Sequence, residues 1–228
     1  MLYSTPQLGT HEVFIGPPTL GGSLSLPQRP YGIVLFAHGS GSSRFSPRNS
    51  FVAHEMNKRG LATLLLDLLT EEEARDRTNV FDVRLLAERL LVATAWAKQE
   101  QRTAALPVCY FGASTGAAAA ISAAASGAWP IAAIVSRGGR PDLANADLAR
   151  VRAPTLLIVG GNDPVVLDLN RVALAELRCE KELVIVPGAT HLFEEPGTLE
   201  SVASLAGQWF SSHVSRRPAR RRSGAVSG

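Results

Sequence analysis

Hydrophobic positions along the chain form short apolar runs that alternate with longer stretches of helical spacing. Residues 11–17 and 20–26 alternate apolar and polar around Pro17-Pro18, with Gly21-Gly22 loosening the second run, and predict an antiparallel pair at a sheet edge. Residues 31–37, Tyr-Gly-Ile-Val-Leu-Phe-Ala, are almost continuously apolar, as a central parallel strand buried on both faces requires. Further runs of this kind are read at 61–66, 108–111, 131–135, 155–159 and 183–186. Between them, helical spacing predicts helices over 49–59, from 80 or 81 to about 101 with Thr78-Asn79 as its cap, after 114, over 168–177 and over 197–214. The charged segment 70–77 reads as exposed. Strands alternating with helices at this spacing predict an α/β fold: a mostly parallel central sheet of about eight strands with helices on both faces, joined by right-handed crossovers.

One junction in this pattern carries chemistry. Val108-Cys109-Tyr110-Phe111-Gly112-Ala113-Ser114-Thr115-Gly116, followed by four alanines, reads as strand, sharp turn and helix, with a serine at the turn and a glycine two positions to either side. A serine in such a turn is held in a strained backbone conformation between strand and helix, so only very small neighbours fit. The turn lifts the hydroxyl clear of the sheet and aims the backbone N–H of Thr115 at whatever Ser114 attacks, which makes half of an oxyanion hole. The bland reading is an ordinary strand-to-helix connection, since the chain holds 20 glycines.

Two other strand ends decide between these readings. The run 155–159 ends in Gly160-Gly161-Asn162-Asp163-Pro164, and the run 183–186 in Pro187-Gly188-Ala189-Thr190-His191. Ser114, Asp163 and His191 then stand in the chain order that α/β-hydrolases use. A serine hydroxyl needs a base to take its proton and return it to the leaving group, and His191 is that type of residue. Asp163 would fix the imidazole tautomer and stabilise the imidazolium. Singly, Asp163 before Pro164 reads as a turn former and His191 as a surface residue; together they read as a triad. Glu194 and Glu195 are the next acids to consider.

The loop His38-Gly39-Ser40-Gly41-Ser42-Ser43-Arg44 follows the central strand at its carboxyl end, where open α/β sheets place ligands. It predicts a second oxyanion donor in the backbone N–H of Ser40, with Gly41 as the alternative and as a substrate contact. His38 reads as structural, bonding its own loop. Arg137 and Arg140 lie at the strand end beside the nucleophile. Arg137 is the candidate for an anionic substrate group, against pairing of an arginine with a carboxylate such as Asp142.

Composition narrows the class. At 228 residues, 46% hydrophobic and 19% charged, the chain suits one full-sized core, expected over 1–214. No apolar run is long enough to cross a bilayer, and Met1-Leu2-Tyr3-Ser4-Thr5-Pro6 has no export signature, so a cytoplasmic protein without a membrane partner is expected. Cys109 and Cys179 are too few for a disulfide framework and lack metal-ligand spacing, so no metal and no cofactor are expected. The net charge of +3 rests on five arginines between 216 and 222, without which it becomes −2. The body therefore offers no basic face for nucleic acid, and 215–228 reads as a basic, disordered tail.

Taken together, Phe36-Ala37-His38-Gly39-Ser40-Gly41-Ser42-Ser43-Arg44, Gly112-Ala113-Ser114-Thr115-Gly116, Gly160-Gly161-Asn162-Asp163 and Gly188-Ala189-Thr190-His191 resemble an α/β-hydrolase of the dienelactone hydrolase type, over residues 11–214. The resemblance implies a hydrolase fold with Ser114, Asp163 and His191 as catalytic residues. The founding members of that family use a cysteine nucleophile paired with a glutamate near the oxyanion loop, whereas this chain has Ser114 and no obvious glutamate there. A general carboxylesterase is therefore implied, acting on small esters or lactones as monomer or homodimer. The resemblance extends to hydrolase domains joined to phosphoribosyltransferases, and no second domain of that kind is read here. Only residues 136–153 separate two of the strands, too few for a cap domain, so an open site and short acyl groups are expected. Two other classes compete: a non-catalytic module binding a small molecule in the same cleft, and an interaction protein working through the arginine tail.

Overall fold

The structure, a computed structural model, describes residues 9–215; the arginine-rich segment lies outside the described residues. Eight strands form one sheet: β1 (Gly9–Ile15), β2 (Leu20–Leu26), β3 (Gly32–Ala37), β4 (Leu61–Leu66), β5 (Val108–Ala113), β6 (Ile131–Arg137), β7 (Thr155–Gly160) and β8 (Lys181–Val186). Their spatial order is β1-β2-β4-β3-β5-β6-β7-β8. β2 runs antiparallel to both β1 and β4, and every other pairing is parallel. The alternating runs thus sit at the edge and the continuous ones in the middle.

Seven helices complete the described chain: α1 (Pro47–Lys58), α2 (Arg77–Phe81), α3 (Val83–Gln99), α4 (Thr115–Ala125), α5 (Asn145–Leu148), α6 (Pro164–Glu176) and α7 (Thr198–Ser215). Successive strand residues point to opposite faces, so a strand buried on both faces feeds two cores. In β3, Ile33, Leu35 and Ala37 join the core under α3 and α4, while Val34 and Phe36 join the one under α1 and α7. β5 divides in the same way, with Tyr110 in the first core and Cys109 and Phe111 in the second. Burial holds the Cys109 thiol up at about 12, so it stays protonated and inert.

Two helix starts differ from the sequence expectation. The long helix is interrupted: Asp76 caps α2, and Asp82 caps α3 by accepting from the Leu85 N–H at 3.0 Å. Thr78 is not a cap because it lies within the first turn of α2, where its own N–H and hydroxyl are given to Asp76 at 2.8 and 2.7 Å. α6 begins at Pro164 rather than 168, with proline in the first turn where its missing N–H costs nothing. Asp163 thereby becomes the residue at the cap position. Between β6 and β7 there is only a 3-10 turn (Pro141–Ala144) and the single turn of α5.

Candidate active site

Ser114 is the hinge between β5 and α4, with φ 52° and ψ −122°, a left-handed conformation that a non-glycine residue adopts only under tertiary constraint. The constraint is visible in the hydrogen bonds. The Ser114 N–H donates to the Arg137 carbonyl (3.3 Å), and the Ser114 carbonyl accepts from the N–H groups of Ala117 and Arg140 (each 3.1 Å). Small neighbours make this turn fit. A Cβ on Gly112 would fall 2.4 Å from the Ala117 Cα, and one on Gly39 2.9 Å from the Ser114 Cβ. The serine is partly exposed, and its hydroxyl has no hydrogen bond among the described residues.

The candidate acid and base come from loops stitched to each other. Asn162 donates its backbone N–H to the Ala189 carbonyl (2.9 Å) and its side-chain amide to the Gly188 carbonyl (3.0 Å). Across this junction His191 Nδ1 and Asp163 Oδ2 stand 2.7 Å apart. An aspartate at a helix cap ordinarily accepts from the first turn, yet Asp163 makes no side-chain cap bond and gives its carboxylate to the histidine instead. The Asp163 side chain is 15% exposed and that of His191 39%, the order expected of a buried orienting acid and a base facing substrate. Gly138, at φ +50°, lets the His191 backbone come close to the end of β6: a Cβ there would lie 3.1 Å from the His191 carbonyl oxygen. The other two acids are engaged elsewhere. Glu195 holds the Thr190 N–H and hydroxyl at 3.1 and 2.6 Å, and Glu194 pairs with Arg48 at 2.8 Å.

In the loop after β3, His38 is structural. Its Nδ1 bonds the Gly39 carbonyl (2.9 Å) and its Nε2 accepts the Leu68 N–H (3.2 Å), so the ring ties the loop to the end of β4. Burial lowers its pKa, which keeps the ring neutral with its proton on Nδ1. The Ser40 N–H donates to the Thr115 hydroxyl oxygen at 2.9 Å. Gly41 has φ +69°, open space around it, and an N–H without a hydrogen bond among the described residues.

The two arginines at the strand end beside Ser114 separate cleanly. Arg140 makes a two-pronged bond to Asp142, at 2.9 and 2.7 Å. Arg137 has no carboxylate partner among the described residues: it is 7% exposed, its Nε and Nη1 are buried without acceptors, and its guanidinium lies 5.9 Å from the Phe193 ring. Burial, reinforced by the charge of Arg48, pushes its pKa down to about 10, so the group remains a cation at neutral pH. Arg48, at the start of α1, also has a buried Nε without an acceptor. Nothing in the sequence marks Arg48, because its approach to Arg137 depends on how α1 crosses the sheet.

A cavity of about 530 Å³ is lined by Ser40, Thr115 and His38, and by none of Ser114, Asp163 and His191. Its far walls are Leu69, Val80 and Leu86, with Phe14 exposed at the rim. The connection between β4 and α3 walls this cavity.

An eight-stranded, mostly parallel sheet with one antiparallel edge, a strained serine at the turn into α4 and loops of catalytic type after β7 and β8 define an α/β-hydrolase. No protein-family model matches the chain. The crystal structure of a dienelactone hydrolase from Anabaena variabilis superposes with a TM-score of 0.87 at 54% identity, covering 91% of this chain and 98% of that one. The chain belongs to the dienelactone hydrolase family. Est1E from Butyrivibrio proteoclasticus shares the fold at 15% identity, with a TM-score of 0.77 over 90% of this chain and 99% of its own. Curated relatives from two Mycobacterium tuberculosis strains, provisionally named phosphoribosyl transferases, are 59% identical over 203 residues. That match covers 89% of this chain and 46% of theirs, so the chain spans about half the length of the curated relatives it matches.

Proposed function

We propose that the protein is a serine hydrolase that cleaves small carboxylic esters or lactones through an acyl-enzyme on Ser114. The observation that carries this reading is the 2.7 Å contact between Asp163 and His191, made at the expense of the cap that Asp163 would otherwise provide. The Ser114 Oγ attacks the ester carbonyl carbon while its proton passes to His191 Nε2, and Asp163 accepts from Nδ1–H and stabilises the imidazolium. The tetrahedral intermediate collapses, the C–O bond to the leaving alcohol breaks, and His191 returns the proton to that oxygen. Water then repeats the sequence on the acyl-enzyme, releasing the acid and restoring Ser114. The Thr115 N–H supplies one oxyanion donor; the Ser40 N–H expected as the second is given to Thr115 Oγ1, and the Gly41 N–H is unbonded among the described residues. A pure binding module has no use for an oriented base.

Intact-mass spectrometry after brief fluorophosphonate treatment tests the reading. One adduct on the wild type, none on Ser114→Ala, and turnover of p-nitrophenyl acetate and butyrate by the wild type alone are the expected results. An unlabelled, inactive wild type would return the binding-module reading to first place.

The same site supports a substrate bearing an anion. A buried guanidinium with two donors unpaired is costly to keep, and a substrate carboxylate or similar anion would satisfy it through charge-assisted bonds. Arg137→Met is therefore expected to lower the ratio of kcat/KM for p-nitrophenyl hemisuccinate over p-nitrophenyl butyrate by about 10–100-fold, the loss of one such bond. An unchanged ratio would remove Arg137 from the substrate site.

A further inference from the structure

We propose that the side-chain hydroxyl of Thr115 is itself an oxyanion donor, standing in for the Ser40 backbone N–H; this rests on the serine hydrolase reading above. An oxyanion hole needs at least two donors aimed at one point, ordinarily the N–H after the nucleophile and one from the loop after β3. Here the expected loop donor, the Ser40 N–H, is already given to Thr115 Oγ1 at 2.9 Å, which leaves the Thr115 hydroxyl and the unbonded Gly41 N–H to compete for its place. That bond fixes the hydroxyl as acceptor and leaves its single proton to be placed. No acceptor among the described residues takes it, although Thr115 is only 3% exposed. Thr115, the residue after Ser114, and Ser40 both line one cavity, although Ser114 itself is not part of its lining.

A hydroxyl that accepts from an N–H becomes a better donor, because the two bonds polarise each other. The relay therefore carries the pull of the Ser40 amide to the substrate oxygen through one intervening proton. Thr115 also presents its own backbone N–H from the first position of α4, so one residue would supply two donors. The β-branch restricts the side chain to few rotamers in a helix, which holds the hydroxyl in place before substrate arrives. The competing arrangement is a plug: the hydroxyl blocks the Ser40 amide and must turn away before catalysis.

The test compares Thr115→Val, which keeps the shape and the backbone N–H, with Thr115→Ser, which keeps the hydroxyl. Thr115→Val is expected to lower kcat on p-nitrophenyl butyrate by about 10²-fold with KM little changed, while Thr115→Ser stays within about threefold of wild type. A trifluoromethyl ketone, whose adduct on Ser114 carries the oxyanion, should lose affinity for Thr115→Val by a similar factor, a change that a merely structural threonine would not produce. Thr115→Ala gives the same comparison should the valine variant fail to fold. A kcat for Thr115→Val within threefold of wild type, or above it, overturns the proposal in favour of the plug. So does a Thr115→Ser variant as slow as the valine one. Fluorophosphonate labelling of the wild type keeps the two levels apart: a labelled wild type with a fully active valine variant sinks only the Thr115 role, and an unlabelled wild type sinks both.

Discussion

Asp163→Asn is expected to lower kcat on short p-nitrophenyl esters by about 10⁴-fold, and Ser114→Ala by on the order of 10⁶. The asparagine case is the more informative, because it removes a charge without removing a shape. His191 Nδ1 lies 2.7 Å from Asp163 Oδ2, so the carboxylate requires a proton on Nδ1 and leaves Nε2 free to accept from Ser114. An asparagine amide can offer that nitrogen an N–H instead. The proton would then move to Nε2, and the ring would meet the serine as a donor rather than a base. The loops themselves should not shift, since Asn162 holds them together through two bonds to the Gly188 and Ala189 carbonyls. Unchanged thermal melting together with the rate loss is the expected pair of results. An Asp163→Asn enzyme within tenfold of wild type would mean that another acid orients His191. Glu194 and Glu195 would then have to leave Arg48 and Thr190 to do it.

The layout of the sheet was legible because its central strands are buried on both faces and read as unbroken apolar runs, while the edge pair alternates. Ser114 was legible for a similar reason: a strained turn between a β-rich run and a run of alanines leaves few residue choices around it. What the sequence could not convey is which of two competing partners wins. Asp163 before Pro164 has the pattern of a cap, and only the approach of the β8 loop decides that its carboxylate goes to His191. Thr78 and Asp82 are both cap formers, and the choice falls on Asp82 because Thr78 is itself held inside α2 by Asp76. Arg137 and Arg140 are three residues apart at one strand end, yet Arg140 turns back to Asp142 while Arg137 points into the layer under α1 and α7 and meets no carboxylate. The Ser40 amide looked available because its competitor, the Thr115 hydroxyl, is 75 residues away in the chain. Each of these is a contest settled by tertiary approach, which no local pattern encodes.

Gly116→Ala should be the most damaging single methyl group added anywhere near the site. Two effects oppose each other. Alanine is the better helix former by about 1 kcal/mol, so propensity alone predicts a more stable α4. Against this, the new Cβ would lie 2.1 Å from the Ala37 carbonyl oxygen and 2.5 Å from that of His38. Both are backbone atoms at the end of β3, held by parallel pairing to β4 and β5 and by the His38 ring, so neither can swing aside as a side chain would. Relief requires α4 to move off the sheet by about 1 Å or more, opening the core it seals together with α3, and overpacking of this kind costs about 3 kcal/mol, at the upper end of its usual range. For a domain of this size that corresponds to a fall in Tm of about 6–12 °C. The movement also carries the Thr115 N–H and Ser114 away from the loop 38–41, so kcat should fall with the melting temperature. Gly41→Ala is the control. Gly41 has the left-handed φ that disfavours alanine but nothing within reach of a Cβ, so it should lose only about 1 kcal/mol. If Gly116→Ala melted within 2 °C of wild type, the close approach of α4 to β3 would not exist in solution, and the oxyanion geometry built on it would fall as well.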